Sequence, residues 1–289
     1  MLITNAFTCT GPYAILIMLG IKRVENRNMM PSPAKGLCAV GCSKSFCKEE
    51  FGAFVQWASQ AWGFASPDSD YDVRGVFVKP LDWYLQLKSD VPDTIVEELP
   101  GDIDISLWDL RKALLQMAKS NASFLEWLGS PIIYRDCGII AVLNELKADC
   151  VNPAHVAFHY ASMFRKAMES RNEDGTIRIK KLCYALRAAL CQRYAMAVEK
   201  MPPTPFVDVL AETKLKPDEL DAIREVLAQK EHALESDTVT SDARIADLLS
   251  DRYDSLAVHL WRKRGMTGDV YGKLEQCFRD TVKGEKQCE

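Results

Sequence analysis

The chain lacks a long apolar run. The longest near its start, Tyr13 to Leu19, is far too short to span a bilayer. No basic segment precedes that run, and no small-residue cleavage site follows it at the spacing a signal peptide needs. Neither a membrane partner nor a secretory leader is expected, and the reading is a cytoplasmic protein. An excess of one charge is lacking too. Lys and Arg number 36 against 40 Asp and Glu, for a net charge of −4. That excludes a general polyanion-coating role and leaves room only for a local basic groove. No fixed-period repeat is visible, which argues against a solenoid or propeller. Histidine is scarce, with 4 residues. His155 and His159 share an i, i+4 spacing on an expected helix, but no third ligand is near. They are expected to pack rather than to bind metal.

Cysteine, by contrast, is plentiful, with 10 residues. A chain of 289 residues can bury a core without disulfides, so most of these are read as reduced thiols. The one cluster, Cys38, Cys42 and Cys47, has a Cys-x3-Cys-x4-Cys spacing without a nearby His or fourth Cys. That matches no common zinc or iron–sulfur pattern, so buried thiols are expected there. The composition, 48% hydrophobic and 26% charged, is that of an ordinary globular protein. Its length suggests roughly two domains.

Loops are expected at residues 27–37, 62–72 and 200–205, where Pro, Gly and small polar residues gather. Short strands are expected at 38–43 and 73–79, and the stretch 47–57 reads as a helix or as a helix ending in a strand. Asp102-Ile103-Asp104-Ile105 alternates strictly, which puts both aspartates on one face of a strand. A helix is expected to start at Ser106, with Asp109 in a variant capping box and Leu107, Leu110, Leu114 and Met117 as its apolar stripe. Beyond residue 138 the periodicity is helical, with helices expected at 138–148, 154–170, 178–199, 217–234, 243–263 and 268–283. The expected fold class is α+β: a mixed sheet with helices, followed by a mostly helical C-terminal domain.

The chemistry centres on the run from Ala58 to Asp72. Asp70 and Asp72 are two apart, so on an extended chain they project to one side. Two like charges held that close call for a cation between them, and an all-oxygen site favours Mg²⁺ or Mn²⁺. Asp104, from the acidic strand, is the candidate third ligand, with Asp102 the runner-up. Such a site suits phosphoryl or nucleotidyl transfer from a nucleoside triphosphate. Ser59 and Gly63 stand upstream, where a turn can offer a hydroxyl and bare backbone to phosphate oxygens. A bare Asp-x-Asp is ordinarily a solvated turn; the longer Ser-x-Ala-x-Gly-x5-Ser-Asp-x-Asp pattern, with the later acidic strand, points instead to a metal site. Lys181, Tyr184 and Arg187 recur at three-residue spacing on an expected helix with Lys180 beside them. The alternatives are a solvated cationic face or a clamp on the triphosphate. Trp83, Trp108 and Trp127 are expected in the core.

Ser59-Gln60-Ala61-Trp62-Gly63 together with Ser69-Asp70-Tyr71-Asp72 resembles the signature of the DNA polymerase β-type nucleotidyltransferase superfamily. The run AWGFASPDSDYDVR, with VKPLDWYL, DIDISLWDLRKALLQMAKSN, FLEWLGSPIIYRD, RIKKLCYALRAAL and PPTPF, is similar to the RlaP/YcgL-like group of that superfamily, over roughly residues 57–250. The resemblance implies metal-dependent transfer of a nucleoside monophosphate to a hydroxyl-type acceptor, with release of pyrophosphate. It implies Asp70, Asp72 and Asp104 as catalytic metal ligands and Ser59, Gly63 and Ser69 near the nucleotide. It leaves the acceptor open between a small molecule, RNA and protein. Ala58 and Gln60 depart from the group's usual Gly-Ser-Arg: a Cβ is added where backbone approaches phosphate, and a positive charge is missing. The alternative is therefore a catalytically impaired protein that binds nucleotide or RNA.

The front segment resembles another family. Gly20-Ile21-Lys22-Arg23-Val24-Glu25-Asn26-Arg27 is similar to the Gly-x-Lys-x-x-Glu-x-Arg motif of ASCH domains, small PUA-related β-barrels associated with RNA binding. The match stops near residue 57, about half of such a domain. Lys22, Glu25 and Arg27 are a secondary candidate site, and RNA a candidate partner through them. The expected organisation is a partial ASCH-like segment at 1–57, a nucleotidyltransferase-like core at 58–137 and a helical domain at 138–289.

Overall fold

The computed structural model describes residues 54–58, 62, 71–79, 81–87, 92–99, 103–131, 133, 138–233, 236–240, 242–250 and 269–283. The ASCH-like motif, the expected strand at 38–43, the cysteine cluster, and Ser59, Gly63, Ser69, Asp70 and Asp102 all lie outside these residues.

A four-stranded mixed sheet is built from β1 (Phe54–Ala58), β2 (Tyr71–Phe77), β3 (Thr94–Leu99) and β4 (Ile103–Asp109), in the order β1-β2-β4-β3. The central pair, β2 and β4, is parallel, and each outer strand runs antiparallel to its neighbour. Alternation explains why the central strands form. Val73 and Phe77 of β2, and Ile105 and Leu107 of β4, share one face and are all buried. Asp72, Arg74 and Val76 share the other face with Asp104, Ser106 and Trp108.

The helix expected from Ser106 begins later. Strand β4 continues to Asp109, because Ser106, Leu107 and Trp108 are held in register by β2 on one side and β3 on the other. Helix α2 (Leu110–Ala118) follows, a one-turn helix α1 (Leu81–Tyr84) having come earlier. Asp109 is the N-cap of α2 rather than a residue of its first turn. Its Oδ1 accepts from the Arg111 N–H at 2.9 Å, and its Oδ2 accepts from the Tyr84 hydroxyl at 2.6 Å. The stripe of Leu110, Leu114 and Met117 is buried as its spacing predicts.

Among the short elements without a clear signal are strand β3 and helix α3 (Ala122–Trp127), capped by Asn121. The longer helices follow the periodicity: α4 (Ile139–Cys150), α5 (Pro153–Met168), α6 (Ile179–Val198), α8 (Pro217–His232) and α10 (Val270–Lys283). The short α7 (Phe206–Glu212), which was not expected, stands between α6 and α8, and α9 (Ala243–Ser250) opens the expected helix 243–263, of which residues 251–263 lie outside the described residues. The strands of a two-stranded ladder, β5 (Thr176–Arg178) and β6 (Thr238–Thr240), precede α6 and α9 respectively. Helix α5 starts sharply because Asn152 accepts from the Ala154 N–H at 3.0 Å and Pro153 occupies the first turn. The three prolines between 200 and 205 separate α6 from α7, as the composition requires.

Helix α6 is the centre of the helical part. It packs most extensively on α5 and also meets α7, α8 and α9. Leu182, Leu186 and Leu190 are at most 1% exposed, so each is expected to contribute about 1.5–3 kcal/mol of apolar burial. The apolar cluster is continuous from Val76 of the sheet through Leu114, Tyr160 and Leu186 to Leu274 of α10. Trp83, Trp108 and Trp127 pack against it. No helix among the described residues is long and apolar enough to cross a membrane.

Cys150, Cys183 and Cys191 are free and buried, as expected of reduced thiols, and Cys277 is buried too. Burial pushes the Cys183 and Cys191 thiols of α6 up to about 12. Their folded-state values exceed the unfolded one, so the neutral thiols contribute stability that is complete below about pH 9 and lost as pH rises through about 12. Urea denaturation between pH 8 and pH 11 should show stability falling with pH, and the Cys183→Ala, Cys191→Ala double variant should fall less steeply. Identical slopes for the two proteins would reject this origin.

Candidate active site

The parallel register of β2 with β4 sets Asp72 directly opposite Asp104. Neighbouring strands are about 4.8 Å apart, so both carboxylates emerge side by side on one face. Arg74 follows Asp72 by two residues on that face and reaches between them. A single guanidinium nitrogen, Nη2, donates to Asp72 Oδ1 at 2.5 Å and to Asp104 Oδ2 at 2.9 Å. The side chains of Asp72 and Asp104 are 35% and 37% exposed, so the pair remains open to a ligand from solvent. Ion pairs this accessible are worth only about 0–1 kcal/mol each, and the arrangement is displaceable.

This geometry tests whether the residues suit a divalent cation. One positively charged atom already touches an oxygen of both carboxylates, so one cationic centre can be shared by the two strands. The donors are hard oxygens, which suits Mg²⁺ or Mn²⁺. Among the described residues no group of three metal-binding side chains converges. Asp70, the other member of the acidic motif, lies outside them.

A second charged centre is buried. Arg187 of α6 is 0% exposed, and its Nη1 donates to Glu126 Oε1 of α3 at 2.7 Å. Here the structure departs from the expected basic face: the Arg187 charge points into the protein and is paired, so it is not offered to a phosphate. Glu126 Oε1 also accepts from the Tyr160 hydroxyl at 2.6 Å. Arg187 Nη2 donates to the Thr204 carbonyl at 3.1 Å, and the Thr204 hydroxyl donates to the Glu126 carbonyl at 2.9 Å. Burial opposes the Arg187 charge, but Glu126 beside it outweighs that and holds it protonated. Burial likewise drives the Tyr160 hydroxyl well above its ordinary value, helped by Glu126. His159, next to this network, is lowered mainly by burial, while His155 is exposed. The two histidines do not form a metal pair with any third ligand among the described residues.

The buried centre reaches the signature motif through Trp62. The Arg187 guanidinium carbon lies 4.4 Å from the Trp62 ring centre, a cation–π contact. Tyr184, one turn earlier on α6, meets the Trp62 ring edge-on at 5.4 Å, and the Lys181 ammonium stands 5.9 Å from the Tyr184 ring centre. Lys181, Tyr184 and Arg187 therefore do come together with the signature segment, in a row that ends in the protein interior. Beside Trp62, an apolar groove of about 340 Å³ is lined by Phe206, Leu210, Leu220, Leu227 and Arg224 among others.

Sequence reasoning did not single out Arg74 or Glu126. Each had a signal. Arg74 shares the strand face of Asp72 by the two-residue period. Glu126 is a lone acid within the apolar run Phe124-Leu125-Glu126-Trp127-Leu128, and a charge there must be paired.

The model of a family described as RlaP, RNA repair pathway DNA polymerase beta family, matches residues 54–280. Over 177 residues the chain is 36% identical to "Uncharacterized protein YcgL" of Bacillus subtilis (strain 168), covering 61% of this chain and 67% of that protein. Among solved structures, a nucleotidyltransferase-like protein from Exiguobacterium sibiricum 255-15 is similar over 82% of this chain and 72% of that one, with 12% identity and a TM-score of 0.30.

Removing one partner of a buried ion pair strands the other charge. Glu126→Ala and Arg187→Ala should each lower unfolding free energy by about 3–5 kcal/mol, measured by chemical denaturation. The double variant should lose much less than the two single losses combined; strict additivity would show that the pair does not act as a unit.

Proposed function

The chain belongs to the RlaP family, the RNA repair pathway DNA polymerase beta family, and from that premise we propose that it is a metal-dependent nucleotidyltransferase. It moves a nucleoside monophosphate from a nucleoside triphosphate to an acceptor hydroxyl. The bond between the acceptor oxygen and the α-phosphorus forms, the α–β phosphoanhydride bond breaks, pyrophosphate leaves, and the hydroxyl proton is lost. The observation that carries this reading is the Asp72–Asp104 pair, two carboxylates bridged by one cationic atom at 2.5 and 2.9 Å.

In this reading Asp72 and Asp104, with Asp70, hold Mg²⁺ or Mn²⁺. A bound divalent ion would supply charge against the triphosphate and acidify the attacking hydroxyl. Ser59, Gly63 and Ser69 take the phosphates, and Lys181 and Tyr184 stand near the nucleotide. Arg187 acts at one remove, by holding the Trp62 ring within the signature. The family description names an RNA repair pathway, which makes an RNA hydroxyl end the first acceptor to try; small molecules and proteins follow. The buried thiols of Cys150, Cys183 and Cys191 fit a reducing, cytoplasmic setting. A second reading, a binder of nucleotide or RNA without turnover, is favoured by Ala58 and Gln60 standing where the resembled group has Gly and Arg.

Incubation with α-labelled nucleoside triphosphates, Mg²⁺ and RNA ends or cell extract should label an acceptor. Asp72→Ala and Asp104→Ala should each reduce labelling by at least about 10²-fold while leaving stability within about 0.5 kcal/mol of the parent. Mg²⁺-dependent nucleotide binding with no pyrophosphate release toward any acceptor class would favour the second reading. Labelling that survives both substitutions would sink the assignment of these carboxylates.

A further inference from the structure

The two facing carboxylates already hold a cation, and it belongs to the chain. Arg74 Nη2 bonds to one oxygen of each. We propose that Arg74 is an internal counter-cation of the site, which occupies the position between Asp72 and Asp104 and must leave it when a divalent ion binds. Metal and guanidinium then compete for the same two carboxylates. The inference rests on the reading of Asp72 and Asp104 as metal ligands and adds a regulatory residue to it.

Three observations carry the competition. First, both carboxylates are met by the same atom, Nη2, while Nη1 makes only long contacts of 3.5 Å to the Val73 and Asp104 carbonyls. Mg²⁺ and Mn²⁺ sit about 2.1 Å from their oxygen ligands. An ion bound to both of these oxygens would stand where Nη2 now stands, and the two cannot share the space. Second, the arrangement relieves a repulsion that the sheet imposes. Strand register holds Asp72 against Asp104 whether or not a ligand is present, and like charges so close need a positive partner. Arg74 lies two residues along the same strand face, so it meets that need without any change of backbone. Third, the hold is weak enough to release. The Arg74 side chain is 22% exposed and each carboxylate more so, whereas the Glu126–Arg187 pair is closed from solvent. Arg74 is long and unbranched and can swing into water along the sheet face.

The consequence is a metal affinity set below what the carboxylates alone would give. It is also an acidic pair that stays aligned in the metal-free protein. By linkage, whatever Arg74 gains from the pair is subtracted from metal binding.

The test is Mn²⁺ binding to the full chain, read as loss of the free-ion electron paramagnetic resonance signal. Arg74→Gln should bind Mn²⁺ about tenfold more tightly than the parent, within the usual range of such couplings, and Arg74→Ala should do the same. Asp72→Asn should abolish binding in either background. Equal or weaker Mn²⁺ affinity in Arg74→Gln, with binding still dependent on Asp72, overturns the competition and leaves the metal-site reading standing. Absence of Mn²⁺ binding from every variant, with or without nucleotide, overturns the metal-site reading and this inference with it. The unsubstituted protein gives an independent readout should either variant fail to fold. The Arg74 Nε–H nuclear magnetic resonance signal should shift on saturation with Mg²⁺, and an unchanged signal in the metal-bound protein rules the displacement out.

Discussion

Parallel pairing of β2 with β4 brings Asp72 to Asp104, and much of the candidate site follows from that register. The pairing is held by buried apolar residues on one face, Val73 and Phe77 against Ile105 and Leu107, so the opposite face is left to Asp72, Arg74 and Asp104. A slip of one residue would turn Asp104 into the core and bring Ile105 or Ile103 to the face of Asp72. Burying a carboxylate without a partner is far more unfavourable than any gain such a slip offers, so core packing and site geometry enforce the same alignment. β3 adds to this by pairing along the other side of β4, which keeps the acidic strand extended up to the cap at Asp109.

The protein uses arginine–carboxylate chemistry twice, with opposite results. At Asp72, Arg74 and Asp104 the groups are partly solvated, so the ion pairs are weak and a competing cation can replace them. At Glu126 and Arg187 the same chemistry is closed from solvent, hydrogen-bonded to Tyr160 and Thr204, and difficult to break. The first arrangement suits a site that must exchange ligands. The second suits an anchor: it ties α3 and α6 to the segment before α7 and places a flat cationic surface beneath Trp62. Trp62 of the signature motif is thus in contact with the helical part, while the acidic face remains open.

Much of the layout was legible in the residues. Helical periodicity located α4, α5, α6, α8 and α10 to within a few residues, because each buries a stripe or, for α6, most of its circumference. The strand faces of Asp72 and of Asp104 were legible because two-residue alternation is a local property of an extended chain; their pairing comes from the β2–β4 register. Where Ser106 seemed to open a helix, local capping preference lost to sheet pairing on both sides of β4, a long-range interaction that no short window contains. Strand β3, with Val96 exposed and Glu97 and Glu98 in its middle, has too little apolar alternation to announce itself and exists because β4 offers it an edge.

The residues along the chain determined the chemical types available: hard carboxylates at a two-residue spacing, within the stretch that the RlaP family model matches. Tertiary structure decided which charges are offered to a ligand. Lys181, Tyr184 and Arg187 look equivalent at three-residue spacing, yet Arg187 is the one turned inward, because Glu126, 61 residues away in the chain, supplies its counter-charge. Arg74 looks like one more strand residue until parallel pairing brings a second carboxylate within its reach. Spacing along a chain sets chemical type and local face. Burial and the partner of each charge depend on segments distant in sequence, and only their packing settles whether a charge binds a ligand or holds the fold together.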